Sequence, residues 1–317
     1  MTRKLNTQIE NNQSLTEPLV SVVITSYNQR DQLIRAIESV LSQSYDNIQI
    51  VIADDCSSKD DTLEVIEDYR KTYPNKIKTV LQSKNVGIPK NKNAGFRACD
   101  GDYITYLDGD DFYYKDKIKT EIETFKNNDW AKIVYSNFTF TDFEIISNKY
   151  WAKSSFKPVE GNIFEKVFTR DFPYRTLYRC ELMKKEVLES INYYDEDIKA
   201  FHDWDSRIRM TKLFKVAYNN ELGSAYVMDP DGISKKSKDQ VLLDEMKYVI
   251  LKNNELINNI NRKEKIDKKI NTFFMLTQSR INKSISDTIK YISKHPLNID
   301  GYKLFGSQVL QKFNLKS

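Results

Sequence analysis

Cysteine and histidine are scarce in this chain. Its three cysteines, Cys56, Cys99 and Cys180, are scattered and show no paired spacing of the kind a zinc or redox site needs. They read as unpaired thiols suited to a reducing cytoplasm. Two histidines leave little room for imidazole-based metal centres. No run of 18 or more apolar residues occurs, and the opening "MTRKLNTQIENNQSLTEP" lacks the apolar core of a signal peptide. The expectation is a protein that neither spans a membrane nor leaves by a cleaved signal. A formal net charge of +4 is too small and too dispersed to point to nucleic acid. Acidic, oxygen-ligand chemistry is what remains.

The 317 residues supply enough apolar material for one large domain or two ordinary ones. Residues 1–17 are polar and predict a disordered segment. From Pro18 the chain alternates. "LVSVVITSYN" reads as a buried strand, followed by a helix with Asp31 as N-cap and Leu33, Ile34, Ile37, Val40 and Leu41 on one face. "NIQIVIADD" is a second strand, and a second helix is predicted with Ser57 or Ser58 as its cap and Pro74 beyond its end. "IKTVLQ" and "YITYLD" are further strands around a helix that begins near Pro89. Strands alternating with helices imply crossovers and a largely parallel sheet, in which ligands bind beyond the carboxyl ends of the strands.

Every unusual cluster falls at such an end: "TSYN", "DDCSS", "KNVG" and "DGDD". The dinucleotide fingerprint G-x-G-x-x-G is missing after the first strand, which disfavours a nicotinamide dehydrogenase. After about residue 130 the alternation gives way to antiparallel-strand character in "AKIVYSNFTFTDFEIISNKYWA", then to helices in "CELMKKEVLESI" and "HDWDSRIRMTKLF". Residues 239–317 have helical apolar spacing in a Lys- and Asn-rich background.

In "YITYLDGDDFYYKDKI" an apolar run ends in Asp108, Asp110 and Asp111, with Asp116 as a surface or helix-start residue. Two aspartates one residue apart can present oxygens to one divalent cation, and Gly109 lets the loop fold closely enough. Such hard ligands suit Mg²⁺ or Mn²⁺ rather than zinc. A metal held by one or two carboxylates completes its shell with water and phosphate oxygens, so a diphosphate is the natural ligand. Tyr27 could stack on a base and Asp55 could accept from an imino N–H. The plain alternatives are a solvated acidic turn, a surface tyrosine and a helix-capping acid.

Taken together, "PLVSVVITSYNQRDQLIRAIESVLSQSYDNIQIVIADDCSSKDDT", "NVGIPKNKNAG", "GDYITYLDGDD" and "FHDWDSRIRM" resemble the inverting family 2 glycosyltransferases of the GT-A fold, in order and spacing, over residues 18–238. The resemblance implies an α/β, Rossmann-like architecture: a mixed, largely parallel sheet flanked by helices, with a C-terminal helical extension. Residues 18–130 would be the nucleotide-sugar-binding half, 131–238 the acceptor-binding half and 239–317 the extension. It implies that Thr25, Tyr27 and Asp55 contact the nucleobase, with Lys92 and Asn93 near the nucleotide. Lys92 stands where the family commonly has arginine, keeping the charge but losing the planar fork. Asp108 would approach the ribose, Asp110 would hold Mn²⁺ or Mg²⁺, and Asp111 would lie beside the sugar.

In "HDWD" the catalytic base aligns with Asp203, and His202 replaces the usual glutamate; the alternative is that Asp203 or Asp205 caps its helix. Lys235 and Lys236 fall where a mobile loop closes over the diphosphate. Tyr150, Trp151, Arg175 and Trp204 are acceptor-side candidates, or simply core. The partners implied are a nucleotide-sugar donor, foremost a UDP-sugar, and a glycan or lipid-linked acceptor. A cytoplasmic location follows, and the Lys-rich segment around Phe273, Phe274, Met275 and Leu276 suggests either contact with the inner membrane face or a packing or dimer-forming tail. Two other readings are a glycosyltransferase-like subunit without turnover and a sugar-phosphate nucleotidyltransferase. The latter would normally carry a glycine-rich basic loop, which "TSYNQRDQL" is not.

Overall fold

The computed structural model describes residues 17–142, 149–153, 158–173, 176–228, 239–258, 260–296 and 299–312. The candidates Arg175, Lys235 and Lys236, and residues 1–16, lie outside the described residues.

The first half runs β1 (Val20–Ser26), α1 (Arg30–Leu41), β2 (Ile48–Asp54), α2 (Thr62–Thr72), β3 (Ile77–Leu81), α3 (Ile88–Arg97) and β4 (Tyr103–Asp108). Then follow β5 (Phe112–Tyr113), α4 (Lys117–Asn127), β6 (Ile133–Thr141), β7 (Lys149–Tyr150), α5 (Phe164–Phe168), β8 (Leu182–Lys184), α6 (Lys185–Ser190), α7 (His202–Leu213) and β9 (Val216–Val227). The strands form one mixed sheet in the order β3-β2-β1-β4-β8-β6-β9-β5, with β7 paired to β6. β1, β2, β3 and β4 pair in parallel, whereas β8 lies antiparallel to both β4 and β6.

All seven residues of β1 are buried, as expected of a central strand covered on both faces by crossover helices. α1 covers one face with Leu33, Ala36, Ile37 and Val40. α3 lies so close that a Cβ on Gly95 would meet Val23 Cγ1 at 2.5 Å. The chain steps outward from β1 to β3 and then returns to place β4 on the other side of β1. That reversal opens a crevice beyond the carboxyl ends of β1 and β4, where Thr25 and Asp108 are register partners.

Three local expectations are corrected. Asp31 lies inside the first turn of α1; the backbone N–H groups of Gln29 and Arg30 instead donate to Thr62 Oγ1 and Asp60 Oδ2, which the β2–α2 loop brings against the helix start. Ser57 closes on Asp54 through its N–H and hydroxyl, at 2.8 and 2.5 Å, so α2 starts only at Thr62. In "CELMKKEVLESI" residues 182–184 are extended because they bridge β4 and β6, and the helix is reduced to Lys185–Ser190. Tertiary pairing overrides helix propensity there.

Beyond β9 the described residues form helices Asp239–Lys252, Lys263–Ile281, Ile285–Lys294 and Ile299–Lys312. Phe273 and Phe274 pack against the main core, and together with Phe168, Trp204 and Ile250 they line a small cavity. Leu276 is buried as well. These three side chains are engaged in packing within the chain. No helix among the described residues is long and apolar enough to cross a membrane.

Candidate active site

Two loops at the crevice each carry a residue in the left-handed region, Asn28 and Cys56 with φ of 50° and 67°, and Asn28 ties the loops together. Asparagine tolerates that conformation, and its Oδ1 accepts from the N–H groups of Ser58 and Lys59 at 2.8 and 3.0 Å. This brings "TSYN" and "DDCSS" together as one wall. Tyr27 remains 41% exposed on it, a ring available for stacking. Asp55 is buried, and its two oxygens accept from Val86 N–H at 2.6 Å and Gly87 N–H at 2.9 Å. It therefore anchors the loop before α3, while an ionised carboxylate still has lone-pair capacity for a further donor.

The acidic loop follows β4 directly. A Cβ on Gly109 would meet Thr25 O at 2.5 Å and collide with the Gln29 amide, so only glycine allows this turn. Asp108 Oδ1 accepts from Lys92 Nζ at 2.8 Å and from Thr25 Oγ1 at 3.4 Å; Oδ2 accepts from Arg179 Nη2 at 3.1 Å. Burial alone would raise this carboxyl, but Lys92 and Arg179 hold it well below the usual range. Asp111 accepts from Arg179 Nη2 at 2.5 Å and from Val227 N–H at 2.9 Å. Burial, with Asp110 and Asp108 alongside, pushes its acid up to about 8 against the pull of Arg179. Asp110 is partly exposed, and its backbone carbonyl accepts from Arg35 Nη2 at 2.6 Å.

This donor set bears on a metal. Among the described residues no group of three or more His, Cys, Asp or Glu side chains could hold an ion. Lys92 and Arg179 engage Asp108 and Asp111, and Asp110 between these two acids is a partly exposed carboxylate on the same loop. One protein carboxylate, with water and substrate oxygens completing the shell, fits Mg²⁺ or Mn²⁺ and would not fit zinc.

Lys92 is buried beneath the cluster, its Nζ 4.0 Å from the centre of the Tyr106 ring. Asn93 is not brought to the cluster. It sits one position further around α3, and its amide is engaged with the Tyr194 backbone and with Glu196 Oε1 at 3.0 Å.

α7 begins beside this cluster, with Asp203 and Asp205 in its first turn. His202 Nδ1 lies 3.0 Å from Lys199 O; burial first, then the Lys92 charge, lower its pKa and favour the neutral ring. His202 feels the charges of both Asp203 and Asp108, so it lies between the start of α7 and the acidic loop. Asp203 is 40% exposed; its Oδ1 accepts from Trp204 N–H at 2.8 Å and its Oδ2 from Arg207 Nη1 at 2.6 Å. Burial would raise its pKa, yet the Arg207 guanidinium above all, with Arg170, holds it at about 2. Asp205 turns the other way, buried against Arg209, Lys252 and Asn253, in a structural role.

Of the acceptor-side candidates, Trp151 and Trp204 are core residues and Tyr150 is exposed. Sequence reading missed Arg179, Glu181 and Arg207. The available signal was a charged pair two residues apart inside an apolar stretch, "TLYRCELM", where alternation would put both side chains on one face of an extended segment.

Comparison with known proteins places the chain in a family. The family described as "Glycosyl transferase family 2" matches residues 21–186. An uncharacterized glycosyltransferase of Rickettsia prowazekii (strain Madrid E) is 29% identical over 66% of this chain and 64% of its own length. The chain thus spans just under two thirds of that relative. The chondroitin synthase of Escherichia coli is 35% identical over 42% of this chain and 19% of its own. Among solved structures, S. aureus TarS 1-349 in complex with UDP-GlcNAc superposes with a TM-score of 0.64 at 15% identity, covering 92% of this chain and 81% of that one, which speaks to the fold. With more than half of its residues matched, the chain belongs to glycosyl transferase family 2.

Proposed function

We propose that this chain is a metal-dependent, inverting glycosyltransferase that moves a sugar from a nucleoside diphosphate donor, a UDP-sugar, to a hydroxyl of a surface glycan or lipid-linked acceptor. The observation that carries the reading is the acidic loop 108–111 braced by Lys92 and Arg179 beside a part-exposed Asp203. The donor assignment is supported by the UDP-GlcNAc bound to the fold neighbour TarS. The polysaccharide assignment is supported by the similarity to chondroitin synthase.

In this reading Tyr27 stacks on the base, Thr25 and Asp55 edge it, and Asp108 faces the ribose. Lys92, held by Asp108, keeps that carboxylate ionised and adds positive charge near the nucleotide. Asp111, fixed by Arg179 and Val227, lies beside the sugar. Asp110 would hold the divalent ion, which when bound would supply Lewis-acid stabilisation of the charge that grows on the diphosphate. The acceptor hydroxyl attacks the anomeric carbon; its proton passes to Asp203, while the bond to the diphosphate breaks and its electron pair leaves with that group. Attack opposite the leaving group inverts the centre. General-base help of this kind is worth about 10²- to 10⁴-fold.

The test is nucleoside diphosphate release from a panel of UDP-, dTDP- and GDP-sugars with Mn²⁺, with Mg²⁺ and with chelator. Chelator-sensitive hydrolysis of a UDP-sugar is expected. Absence of both turnover and UDP binding would favour a subunit without turnover.

A further inference from the structure

A buried charged group lies directly behind Asp203. The Arg207 side chain is 1% exposed and its partner Glu181 is 0% exposed. Arg207 Nε and Nη2 donate to the two Glu181 oxygens, both at 2.9 Å; Nη2 also donates to the Tyr106 hydroxyl at 2.6 Å. Only the remaining arm, Nη1, reaches outward, to Asp203 Oδ2. A buried ion pair is costly to desolvate, and apolar residues of the same volume often serve stability as well or better. What apolar residues could not do is hold Asp203.

We propose that Arg207, anchored by Glu181, is a positioning residue that fixes the Asp203 carboxylate in its orientation and keeps it ionised to receive the proton of the attacking hydroxyl. The inference rests on the reading of Asp203 as the base. With Trp204 N–H on Oδ1 and Arg207 on Oδ2, both oxygens are held from the protein side while the carboxylate stays open to the cleft. Glu181 has its own part. The group Glu181⁻, Arg207⁺, Asp203⁻ carries one net negative charge at rest and none after Asp203 takes a proton. The buried guanidinium is therefore never left without a counter-ion. Tyr106 joins this group to the donor side, because its hydroxyl meets Arg207 and its ring faces Lys92.

The charged and titratable groups facing Asp203 are His202 and Arg207 on α7, Arg170 after α5, and Tyr194 before α7. Arg207 is the strongest of these influences, and it opposes the burial that would otherwise raise the Asp203 acid.

The experiment uses the full chain carrying ¹³C-carboxyl aspartate, with the Asp203 resonance identified by its loss in Asp203→Asn and titrated from pH 7 to pH 4. Two variants are compared with wild type: Arg207→Lys, and the neutral pair Glu181→Leu with Arg207→Met, which leaves no buried charge and decides the matter if the lysine variant does not fold. The wild-type signal should not titrate in this window. In the neutral pair the midpoint should rise into it, by about two units or more from the low value that Arg207 maintains. This readout needs no substrate. In parallel, UDP release from UDP-GlcNAc with Mn²⁺ should show kcat down about 10- to 100-fold, with donor KM within about twofold. An unchanged Asp203 titration, or an unchanged kcat in a folded variant, overturns the inference. If Asp203→Asn is inactive while the Arg207 variants behave as wild type, positioning alone fails; if Asp203→Asn turns over normally, the base assignment falls and this inference with it.

Discussion

Replacing Lys117 by methionine should make stability strongly pH-dependent. Lys117 and Glu121 face each other one turn apart on α4, 1% and 0% exposed, with Nζ 2.6 Å from Oε2. Lys117 also lies 4.5 Å from the centre of the Tyr113 ring, and Glu121 Oε1 accepts from Ser136 Oγ at 2.6 Å. Burial already raises the Glu121 acid above its ordinary value, with Lys117 pulling against it. Without Lys117 the carboxylate must stay charged and unpaired or take a proton. Protonating a glutamate whose free pKa is about 4.3 costs about 3.7 kcal/mol at pH 7 and about 1 kcal/mol at pH 5. The expected loss is therefore about 3–4 kcal/mol at pH 7, within the range for breaking a buried pair, and about 1–2 kcal/mol at pH 5. The sign follows from linkage. The folded variant holds a proton that the unfolded chain has released, so its stability declines as pH rises above the unfolded value and through the raised folded one. Guanidinium unfolding of wild type and variant at both pH values measures this, and adding Glu121→Gln should recover most of the loss. An equal loss at pH 5 and pH 7, or one under about 1 kcal/mol at pH 7, would refute the reasoning.

Three further outcomes are expected. Asp110→Ala should abolish Mn²⁺-dependent UDP binding by calorimetry while leaving the unfolding midpoint nearly unchanged, because the side chain is partly exposed; retained metal-dependent affinity would remove Asp110 as the metal ligand. Gly109→Ala should weaken UDP affinity at least about tenfold, since its methyl would meet Thr25 O at 2.5 Å and shift the acidic loop; unaltered affinity would show that the loop can yield. Flotation with anionic liposomes at physiological salt should leave the protein in the unbound fraction, because Phe273, Phe274 and Leu276 already pack within the fold; recovery with the vesicles would mean that another surface carries membrane contact.

Much of the first half of the fold was legible in the chain itself. Apolar runs such as "VSVVITS" and "YITYL" are buried on both faces, and such runs become central parallel strands wherever the intervening helices form. Their ends, with Thr25, Tyr27, Asp55 and Asp108 to Asp111, then fall at one crevice by topology alone. Local punctuation was less readable. Ser57 resembles a helix cap in sequence, but Asp54 competes for it in space.

Sequence alone determined the element alternation, the place of the acidic turn directly after β4, and the position of Asp203 at a helix start, because these depend on residues near one another along the chain. Tertiary structure decided which charges meet. Arg179 lies 68 residues from Asp111, Arg207 lies 26 from Glu181, and Asn93 lies 101 from the Tyr194 backbone that claims it. Whether a carboxylate is braced, left open to the cleft or buried in the core depends on such distant partners, and no local pattern specifies them.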